Sequence, residues 1–550
     1  MGKRKNGKDS FVENISEKNL KWKRQLSLRK RLGRENNMEK ETLNFFMKKG
    51  FLLDNEMLNF FSQLSNEEVA SQILSKIENT GERIITKSVI NKNLPKMGGI
   101  FSSLGDEKKK LVERFFVNFS MNIEIKKEKY IEQEKESEEK GNTTNHLKII
   151  SPSIILAKKI EVEDFVKHFR SRYSDIKQIL QDRKELQNLT PLDKINGQRQ
   201  SVSVIVLVSG KRITKNKNLL LEIEDLTGGG LALVNRNKPE LYEKAQSTLM
   251  DEVIGLKCTG SREMLFVNDL IYPDAAIYEK KKAEQEVYAL FTSDIHVGSD
   301  KFLEENFLKF IDWTNGKINH KQEIEKIKYL FITGDNVDGV GTYPGQENFL
   351  KINDMSKQYE KLAELLGMIR KDIRIIMCPG QHDAVRVAEP QPAIGEDYAA
   401  PLYKLKNLTL VTNPCYLSLA EGFEVLMYHG AGFHGVINDI DSLRVINAHN
   451  KPSLVVKELL KRRHLAPSHS SVVYIPGEKD PLFIRRIPDI ITTGEMHKAD
   501  IDSYNNILII ANSCWQSTTA FEEKVGNHPD PCKVPMLNLK TREIKILDFS

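Results

Sequence analysis

The 550-residue chain is poor in cysteine, and it has no apolar run approaching the roughly 20 residues that cross a bilayer. Its five cysteines are an odd number, lie far apart and form no C-x-x-C pair, which excludes a disulfide scaffold and a zinc finger. The basic start, Met1 to Lys5, is followed by no apolar segment, and Asn6 departs from the myristoylation pattern. We therefore expect a cytoplasmic protein with no membrane partner.

The composition is that of a soluble protein, with 40% hydrophobic and 29% charged residues. A chain of this length exceeds the size of one hydrophobic core, so two to four domains are expected. The net charge of +6 is unevenly placed, because residues 1–40 hold 13 Lys and Arg against 5 Asp and Glu. This basic, disordered arm either adds sequence-independent affinity for phosphate or is a solvated tail.

Changes of pattern divide the first 200 residues. Helical periodicity predicts a small helical domain over 41–122, in which Ser65 to Glu68 form a capping box. Residues 123–150 are predicted to be a charged linker, since 12 of 17 consecutive residues within it are charged. Periodicity then returns and predicts a helical connector over 151–197, with the helix ending near Pro191.

Residues 198–280 contain five short β-rich runs separated by turn signals. This spacing predicts a Greek-key barrel of the OB type. The loop after its first strand is rich in cations, which either bind DNA or form an ordinary solvated turn. These candidate DNA-binding residues are Lys211, Arg212, Lys215 and Lys217.

Between residues 285 and 550, one event recurs five times: an apolar strand ends and a metal-capable side chain follows. The predicted strands are Tyr288 to Thr292, Tyr329 to Ile332, Ile373 to Met377, Phe423 to Met427 and Ile487 to Thr492. The side chains that follow them are, in order, Asp294 and His296; Asp335 and Asp338; Gln381, His382 and Asp383; His429; and Glu495 and His497. Because open α/β sheets bind ligands at the carboxyl ends of their strands, we expect these side chains to meet.

Each motif alone is weak evidence, because an Asp-x-His is often an Asx-turn and a single histidine often packs in a core. The ordered series indicates a hydrolytic site with two metal ions. Mixed imidazole and carboxylate ligands suit Mn, Fe or Zn, and a bridging carboxylate can hold two ions about 3.5–4 Å apart. The attacking water would lie between them.

The order D-x-H, GD-x-x-D, a Gly-x-His-Asp element, a single His and G-x-x-H resembles the calcineurin-like metallophosphoesterases, over residues 285–550. That resemblance implies a β-sandwich flanked by helices. Further runs extend it across nearly the whole chain to the small subunits of the archaeal family D DNA polymerases. These runs are Pro379 to Arg386, Pro401 to Asn407, Leu459 to Pro467, Asn512 to Gln516 and Leu547 to Ser550. The implied architecture is multidomain α/β: a helical domain, an OB-type barrel and a phosphoesterase domain.

Carried over by motif, the resemblance implies two ion sites. Asp294, His296 and His497 would hold one ion, and Asp335 would bridge to a second held with Gln381, His429 and Glu495. The chain departs from the family at two positions: Gln381 stands where the family usually has Asn, and Glu495 stands where it usually has His. The pair either forms a rebuilt, harder site that prefers Mn or Mg, or marks the decay of catalysis.

The resemblance implies a metal-dependent 3′-5′ exonuclease that proofreads for a separate polymerase large subunit. His382 would be the acid for the leaving 3′ oxygen, Asp383 would orient its ring, and Asp338 would hold the loop together. The expected partners are the large subunit, single-stranded 3′ ends of DNA and other replication factors. Two alternatives stay open: a non-catalytic scaffold that docks the large subunit, and a free-standing phosphatase, which the upstream domains disfavour.

Overall fold

A computed structural model describes residues 37–53, 57–58, 61–62, 70, 73–74, 84–85, 147–150, 159–318, 322–519, 522–523 and 527–550. The chain forms two compact units, residues 1–143 and 144–550. None of the helices formed by these residues is long and apolar enough to span a membrane.

The first unit contains helix α1 (Asn37–Lys48) and two short strands, β1 (Leu52–Leu53) and β2 (Ile84–Ile85). The strands pair in parallel, so the region predicted as a small helical domain over 41–122 also contains a short two-stranded sheet. Apolar side chains at helical spacing are buried, as predicted, including Phe46 and Phe61. The predicted capping box and the basic arm up to residue 36 lie outside the described residues.

The predicted linker and connector both need correction. Residues Lys148–Ile150 form strand β3, which pairs antiparallel with a strand of the second half of the chain. The linker of 123–150 therefore ends in a strand, and its earlier residues lie outside the described part up to residue 146. The connector helix α2 spans Val162–Gln181 and ends well before Pro191. After this helix, a 3-10 turn at Leu192–Lys194 leads into the barrel.

Five strands form a closed barrel in the order β4-β5-β6-β8-β7. All neighbours are antiparallel except β6 and β8, which pair in parallel. Helix α3 (Pro239–Gln246) lies between β6 and β7 in the chain. The strands are β4 (Gln200–Ile213), β5 (Leu219–Asp225), β6 (Gly228–Val234), β7 (Val253–Ser261) and β8 (Met264–Ile271).

The last part of the chain builds two six-stranded sheets. The first has the order β12-β11-β10-β9-β18-β19 and the second β16-β17-β15-β14-β13-β3. The first sheet contains β9 (Tyr288–Thr292), β10 (Ile327–Thr333), β11 (Arg374–Cys378), β12 (Leu408–Leu410), β18 (Lys533–Asn538) and β19 (Ile544–Asp548). The second contains β3 with β13 (Cys415–Ser418), β14 (Glu424–Met427), β15 (Ile490–Thr493), β16 (Asp500–Tyr504) and β17 (Ile507–Ala511).

The two sheets pack face to face with helices outside. One apolar core, including Phe291, Phe331 and Met427, draws on both sheets. A second core packs the outer face of the first sheet against α4 (Glu304–Thr314), α6 (Met355–Gly367) and α7 (Glu396–Tyr403); the short α5 (Gln322–Glu325) adds Ile324. A third covers the second sheet with α8 (Phe433–Asp439), α9 (Asp441–Val445) and α10 (Pro452–Arg462). Strands with both faces covered are largely apolar, as β9 and most of β10 are.

Buried ion pairs join the barrel and α2 to the two-sheet body. Arg462 of α10 donates from Nε to Glu252, 2.6 Å away, just before β7. Arg172 of α2 likewise reaches Asp480 at 2.7 Å, and His464 lies 2.8 Å from the same carboxylate. Such pairs are costly to break, since removing one partner leaves a buried charge without compensation.

Candidate metal centre

The five predicted strand ends do converge. Strands β9, β10 and β11 are parallel neighbours, and β14 and β15 are parallel neighbours in the facing sheet. Their carboxyl ends therefore deliver the five motif loops to one edge of the two-sheet body. β9 has the predicted bounds, and the ends of the other four strands lie within three residues of those predicted.

Asp294, His296 and His497 form the first candidate ion site, with one ligand atom of each within 4.8 Å of the others. His296 Nε2 and His497 Nε2 face each other at 3.3 Å, and His497 Nε2 lies 3.5 Å from Asp294 Oδ1. Nitrogen lone pairs that converge with a carboxylate in this way form the donor set that a divalent transition-metal ion takes. The three side chains predicted to hold one ion thus lie together.

Asp294, Asp335 and His429 form a second group of ligand atoms within 4.8 Å, and all three residues are buried. His429 Nδ1 lies 3.0 Å from the carbonyl oxygen of Thr333. Because a carbonyl can only accept, Nδ1 carries a hydrogen, so it is Nε2 whose lone pair faces the site once the ring is neutral. Nε2 lies 3.3 Å from Asp335 Oδ2 and 3.1 Å from Glu495 Oε2.

The two residues that depart from the family pattern face this second group. Glu495 points its carboxylate at His429, and Gln381 Nε2 donates to Glu495 Oε2 at 2.8 Å. The other oxygen of Glu495 lies 3.4 Å from Nε2 of His434, a histidine that the sequence analysis did not single out. Both departures therefore occupy the second site and satisfy each other there.

The residues present fit divalent ions. His429 Nε2 is buried and makes no hydrogen bond of good geometry to the described residues, although two carboxylate oxygens lie nearby. The first site offers two imidazoles and a carboxylate, and the second offers more oxygen. This chemistry suits Mn, Fe or Zn at the first site and a harder ion, Mn or Mg, at the second.

The backbone at the site is held in an uncommon conformation. Five predicted ligands have left-handed backbone, with φ between +46° and +70°: Asp294, His296, Asp335, Glu495 and His497. For residues other than glycine this costs about 1–3 kcal/mol each and persists only where surrounding structure enforces it. It turns these side chains inward in the loops after β9, β10 and β15.

Two glycines allow the loops to approach closely. Gly334 has φ of +84°, and a Cβ there would lie 2.2 Å from His429 Nδ1. A Cβ on Gly380 would lie 2.1 Å from Asp335 Oδ1. Both distances are far below van der Waals contact, so only glycine fits at these positions.

The ionisable groups hold one another charged. Burial raises the pKa of Asp335, but the charges of His429 and His382 lower it by more, to well below its ordinary value. Burial lowers the pKa of His429, but Asp335 and Glu495 raise it well above its ordinary value. Since imidazole ligands bind ions only when deprotonated, ion binding at this site releases protons.

His382 lies at the opening of the site, with its side chain 26% exposed and Nε2 4.0 Å from Asp335 Oδ2. The predicted role of Asp383 was wrong. The ring of His382 is held by the carbonyl oxygen of Asp338, 2.7 Å from Nδ1. Asp383 instead accepts from Gly380, Asn336 and Tyr359, because its carboxylate turns into the core beneath the loop.

Carboxylates lie behind two of the histidines that face the site. Asp338 Oδ1 lies 3.2 Å from His296 Nδ1, and Asp338 also accepts from Gln346 and Gln516. This agrees with the prediction that Asp338 holds its loop together. Glu522 Oε1 lies 2.9 Å from His497 Nδ1. Sequence analysis missed Glu522, since no metal-binding pattern surrounds it.

The candidate DNA-binding residues lie away from these loops, at the end of β4 and in the turn to β5. Lys211 was predicted as a DNA-binding residue, but its Nζ donates to the carbonyl oxygens of Gln246 and Thr248 within the chain. Burial lowers the pKa of Lys211. Arg212 lies 3.5 Å from Glu222. Lys215 and Lys217 are exposed in the turn.

Comparison with known proteins identifies relatives over most of the chain. Residues 289–501 match the family described as the B subunits of DNA polymerases alpha and epsilon. The chain is 40% identical over 402 residues to the DNA polymerase II small subunit of Pyrococcus furiosus, covering 71% of this chain and 64% of that protein, slightly less than two thirds of its length. It is 37% identical over 394 residues to the DNA polymerase II small subunit of Methanothermobacter thermautotrophicus, covering 71% and 80%.

Among solved structures, a novel archaeal phosphodiesterase aligns with 48% of this chain and 99% of its own, at 12% identity and a TM-score of 0.24. A score this low carries no argument about this chain. The sequence identities are decisive instead, because they exceed 30% and, for the Methanothermobacter protein, cover most of the relative. The chain therefore belongs to the family of archaeal DNA polymerase II small subunits, those of the family D polymerases.

Proposed function

We propose that this chain is the small subunit of a two-subunit DNA polymerase and that it removes nucleotides from DNA 3′ ends as a two-metal exonuclease. The observation that carries the proposal is the convergence of five motif loops into three overlapping groups of ligand atoms among the described residues. The third group consists of His296, Asp335 and His382, and it shares Asp335 with the second group and His296 with the first. The fold proposed for this part is that of the calcineurin-like phosphoesterases, and the proposed fold of the barrel is the OB type. The strand order β4-β5-β6-β8-β7, with β6 and β8 parallel, supports the second assignment.

In this proposal Asp294, His296 and His497 hold one ion, and Asp335, Gln381, His429 and Glu495 hold the other. Bound divalent ions would supply charge neutralisation of the phosphodiester and a water of lowered pKa. The buried carboxylates fix the spacing of the ligands, while the left-handed loops prevent the side chains from swinging away.

His382 is the proposed acid. Its Nδ1–H donates to the carbonyl of Asp338, which fixes the ring and directs Nε2 to the opening of the site. An imidazolium at this position can give its Nε2 proton to the departing 3′ oxygen. Asp338 rather than Asp383 is the positioning residue for this histidine.

The substrate and partner belong to the proposal as well. Both relatives described above carry the name of a polymerase small subunit, which supports a polymerase large subunit as partner and single-stranded DNA 3′ ends as substrate. Lys215 and Lys217 on the barrel turn are the remaining candidates for contacts to the DNA backbone, with Lys211 and Arg212 engaged within the chain.

An exonuclease assay with Mn²⁺ and a 3′-labelled single strand tests the proposal. We expect the wild-type chain to release the label and His382→Ala to do so about 10²–10⁴ times more slowly, the range that general acid catalysis typically contributes. The exposed His528→Ala is the matched control and should keep wild-type rates. Equal rates for wild type and His382→Ala would reject His382 as the acid.

One observation favours a second candidate, a scaffold that docks the large subunit without cutting DNA. The hydrogen bond from Gln381 to Glu495 satisfies both departing residues without an ion. Metal analysis of the purified protein separates the two candidates. Two bound ions and label release support the exonuclease, whereas one ion, no release and retained binding of the large subunit support the scaffold.

A further inference from the structure

A pocket lies at the edge of the first sheet that is opposite the metal centre. Its volume is about 660 Å³, and residues at the beginnings of three neighbouring parallel strands line it. From Lys328 to the end of β10 at Thr333 is about 17 Å at 3.3 Å per residue, so the pocket is a separate site. Its lining comes from the start of β10 (Lys328 and Tyr329), the start of β11 and the residues just before it (Lys371, Asp372 and Arg374), and the segment before β12 (Lys404, Leu405, Lys406 and Asn407).

The lining is strongly basic. Five of its nine residues are Lys or Arg, and Asp372 is its one carboxylate. That carboxylate is already engaged, because Asp372 lies 3.1 Å from Arg370 Nε. Because the one carboxylate of the lining pairs with an arginine outside it, the electrostatic potential in the pocket is positive.

Two of these cations already have partners, one a carboxylate and the other a neutral carbonyl oxygen. Lys328 lies 2.8 Å from Glu421, and Lys371 Nζ donates to the carbonyl oxygen of Gly367. Three others make no side-chain hydrogen bond or ion pair to any residue in the described ranges: Arg374, Lys404 and Lys406. About three positive charges in one concave site are thus left for a ligand.

Asn407 brings a hydrogen-bond acceptor to a lining that otherwise consists mainly of cationic donors. Its Nδ2 donates to the carbonyl oxygens of Arg370 and Ile373, which fixes the amide plane. Its Oδ1 is buried and meets no donor among the described residues. A buried acceptor left unpaired in this way costs about 1–3 kcal/mol.

We propose that this pocket binds the phosphates of a nucleotide, free or within a nucleic-acid strand. Arg374, the first residue of β11, offers a guanidinium fork suited to two phosphate oxygens, and the two lysines supply point charges. The pocket volume lies in the range of about 300–1,000 Å³ typical of small-ligand sites, which favours a compact group over a flat protein surface.

Calorimetric titration of the full chain tests this proposal. Inorganic triphosphate, ATP and a short single-stranded oligonucleotide are titrated separately in EDTA, so that the metal centre holds no ion that could bind phosphate. We expect saturable binding of triphosphate and ATP that weakens at least tenfold in the triple variant Arg374→Gln, Lys404→Gln, Lys406→Gln.

The matched control removes three charges elsewhere. Lys167→Gln, Lys479→Gln and Lys540→Gln change exposed lysines on other surfaces, so this variant should bind within twofold of wild type. Arg374→Lys keeps the charge but loses the fork, so its affinity should fall between those of wild type and the triple variant.

The oligonucleotide distinguishes the two sources of phosphate. Suppose that the triple variant binds the oligonucleotide more weakly than wild type does, and that the slope of log affinity against log salt concentration falls in magnitude by about 2. The pocket then holds a nucleic-acid strand, since each neutralised phosphate contributes about 0.7 to that slope. If only ATP and triphosphate weaken, it holds a free nucleotide.

Two results would overturn the proposal. One is equal binding of triphosphate and ATP by wild type and the triple variant. The other is that a glutamate-rich peptide without phosphate competes with ATP as effectively as inorganic triphosphate does. The pocket would then be a docking site for an acidic protein segment.

Discussion

Glu522 offers a direct test of the first ion site, because it acts on the site through His497. Its Oε1 lies 2.9 Å from His497 Nδ1, while Oε2 accepts from the backbone N–H and the hydroxyl of Thr519, at 2.8 and 2.9 Å. The carboxylate thereby fixes the ring so that Nε2 faces Asp294. Partners of this kind orient a ligand histidine and raise its basicity.

In Glu522→Gln the side chain keeps its shape but has a single acceptor oxygen and no charge. Either His497 or Thr519 then loses its acceptor, and the amide N–H₂ opposes whichever N–H it faces. Loss of such a partner typically weakens metal binding about 10–100-fold, or about 1.4–2.7 kcal/mol. We expect a change of this size at one of two ions and little change at the other.

The assay is competition between the protein and a chromophoric chelator for Mn²⁺ or Zn²⁺, which counts ions and measures each affinity. Glu523→Gln is the control, because Glu523 is the exposed neighbour of Glu522 on the same turn. If Glu522→Gln and Glu523→Gln bound both ions with equal affinity, the contact to His497 would have no bearing on metal binding and the assignment of His497 as a ligand would lose its support.

Two further perturbations probe other parts of the fold. Gly380→Ala should abolish ion binding at the second site, because its Cβ would displace Asp335, while Gly395→Ala, with nothing within 4 Å, should bind ions normally in the same assay. His464 has its pKa lowered to about 4, first by burial and then by the charge of Arg172. The unfolded chain then binds more protons between pH 6.5 and 4, so the free energy of unfolding should fall as pH drops through this range, by about 3 kcal/mol at most. In denaturant titrations at several pH values, His464→Gln should lose this part of the slope; a slope unchanged from wild type would contradict the assignment.

The sequence predicted the candidate metal centre well where a ligand side chain directly follows the end of a strand. A short apolar run between turn signals is typical of a strand buried between packed layers, and a polar side chain just after such a strand lies at the sheet edge. The predicted ligands Asp294, Asp335 and His429 meet for this reason. Strand β9 even has its predicted bounds, Tyr288–Thr292.

Errors arose where long-range contacts override local pattern. Residues Lys148–Ile150 looked like the end of a charged linker, yet pairing with β13 makes them an edge strand. Lys211 looked like a solvated loop cation, yet two carbonyl oxygens at the end of α3 capture its ammonium group. Neither partner is close in sequence, so no local signal marks them.

The amino-acid sequence by itself determined which residue types stand at the strand ends, and hence that a cluster of imidazoles and carboxylates forms at one sheet edge. Only the tertiary structure decided the direction of each side chain within that cluster. It turned Asp383 into the core, gave the orientation of His382 to a backbone carbonyl of Asp338, and brought Glu522 to His497. The physical reason is that loop side chains are directed by backbone dihedrals and by the packing of distant elements, neither of which has a period that a sequence displays.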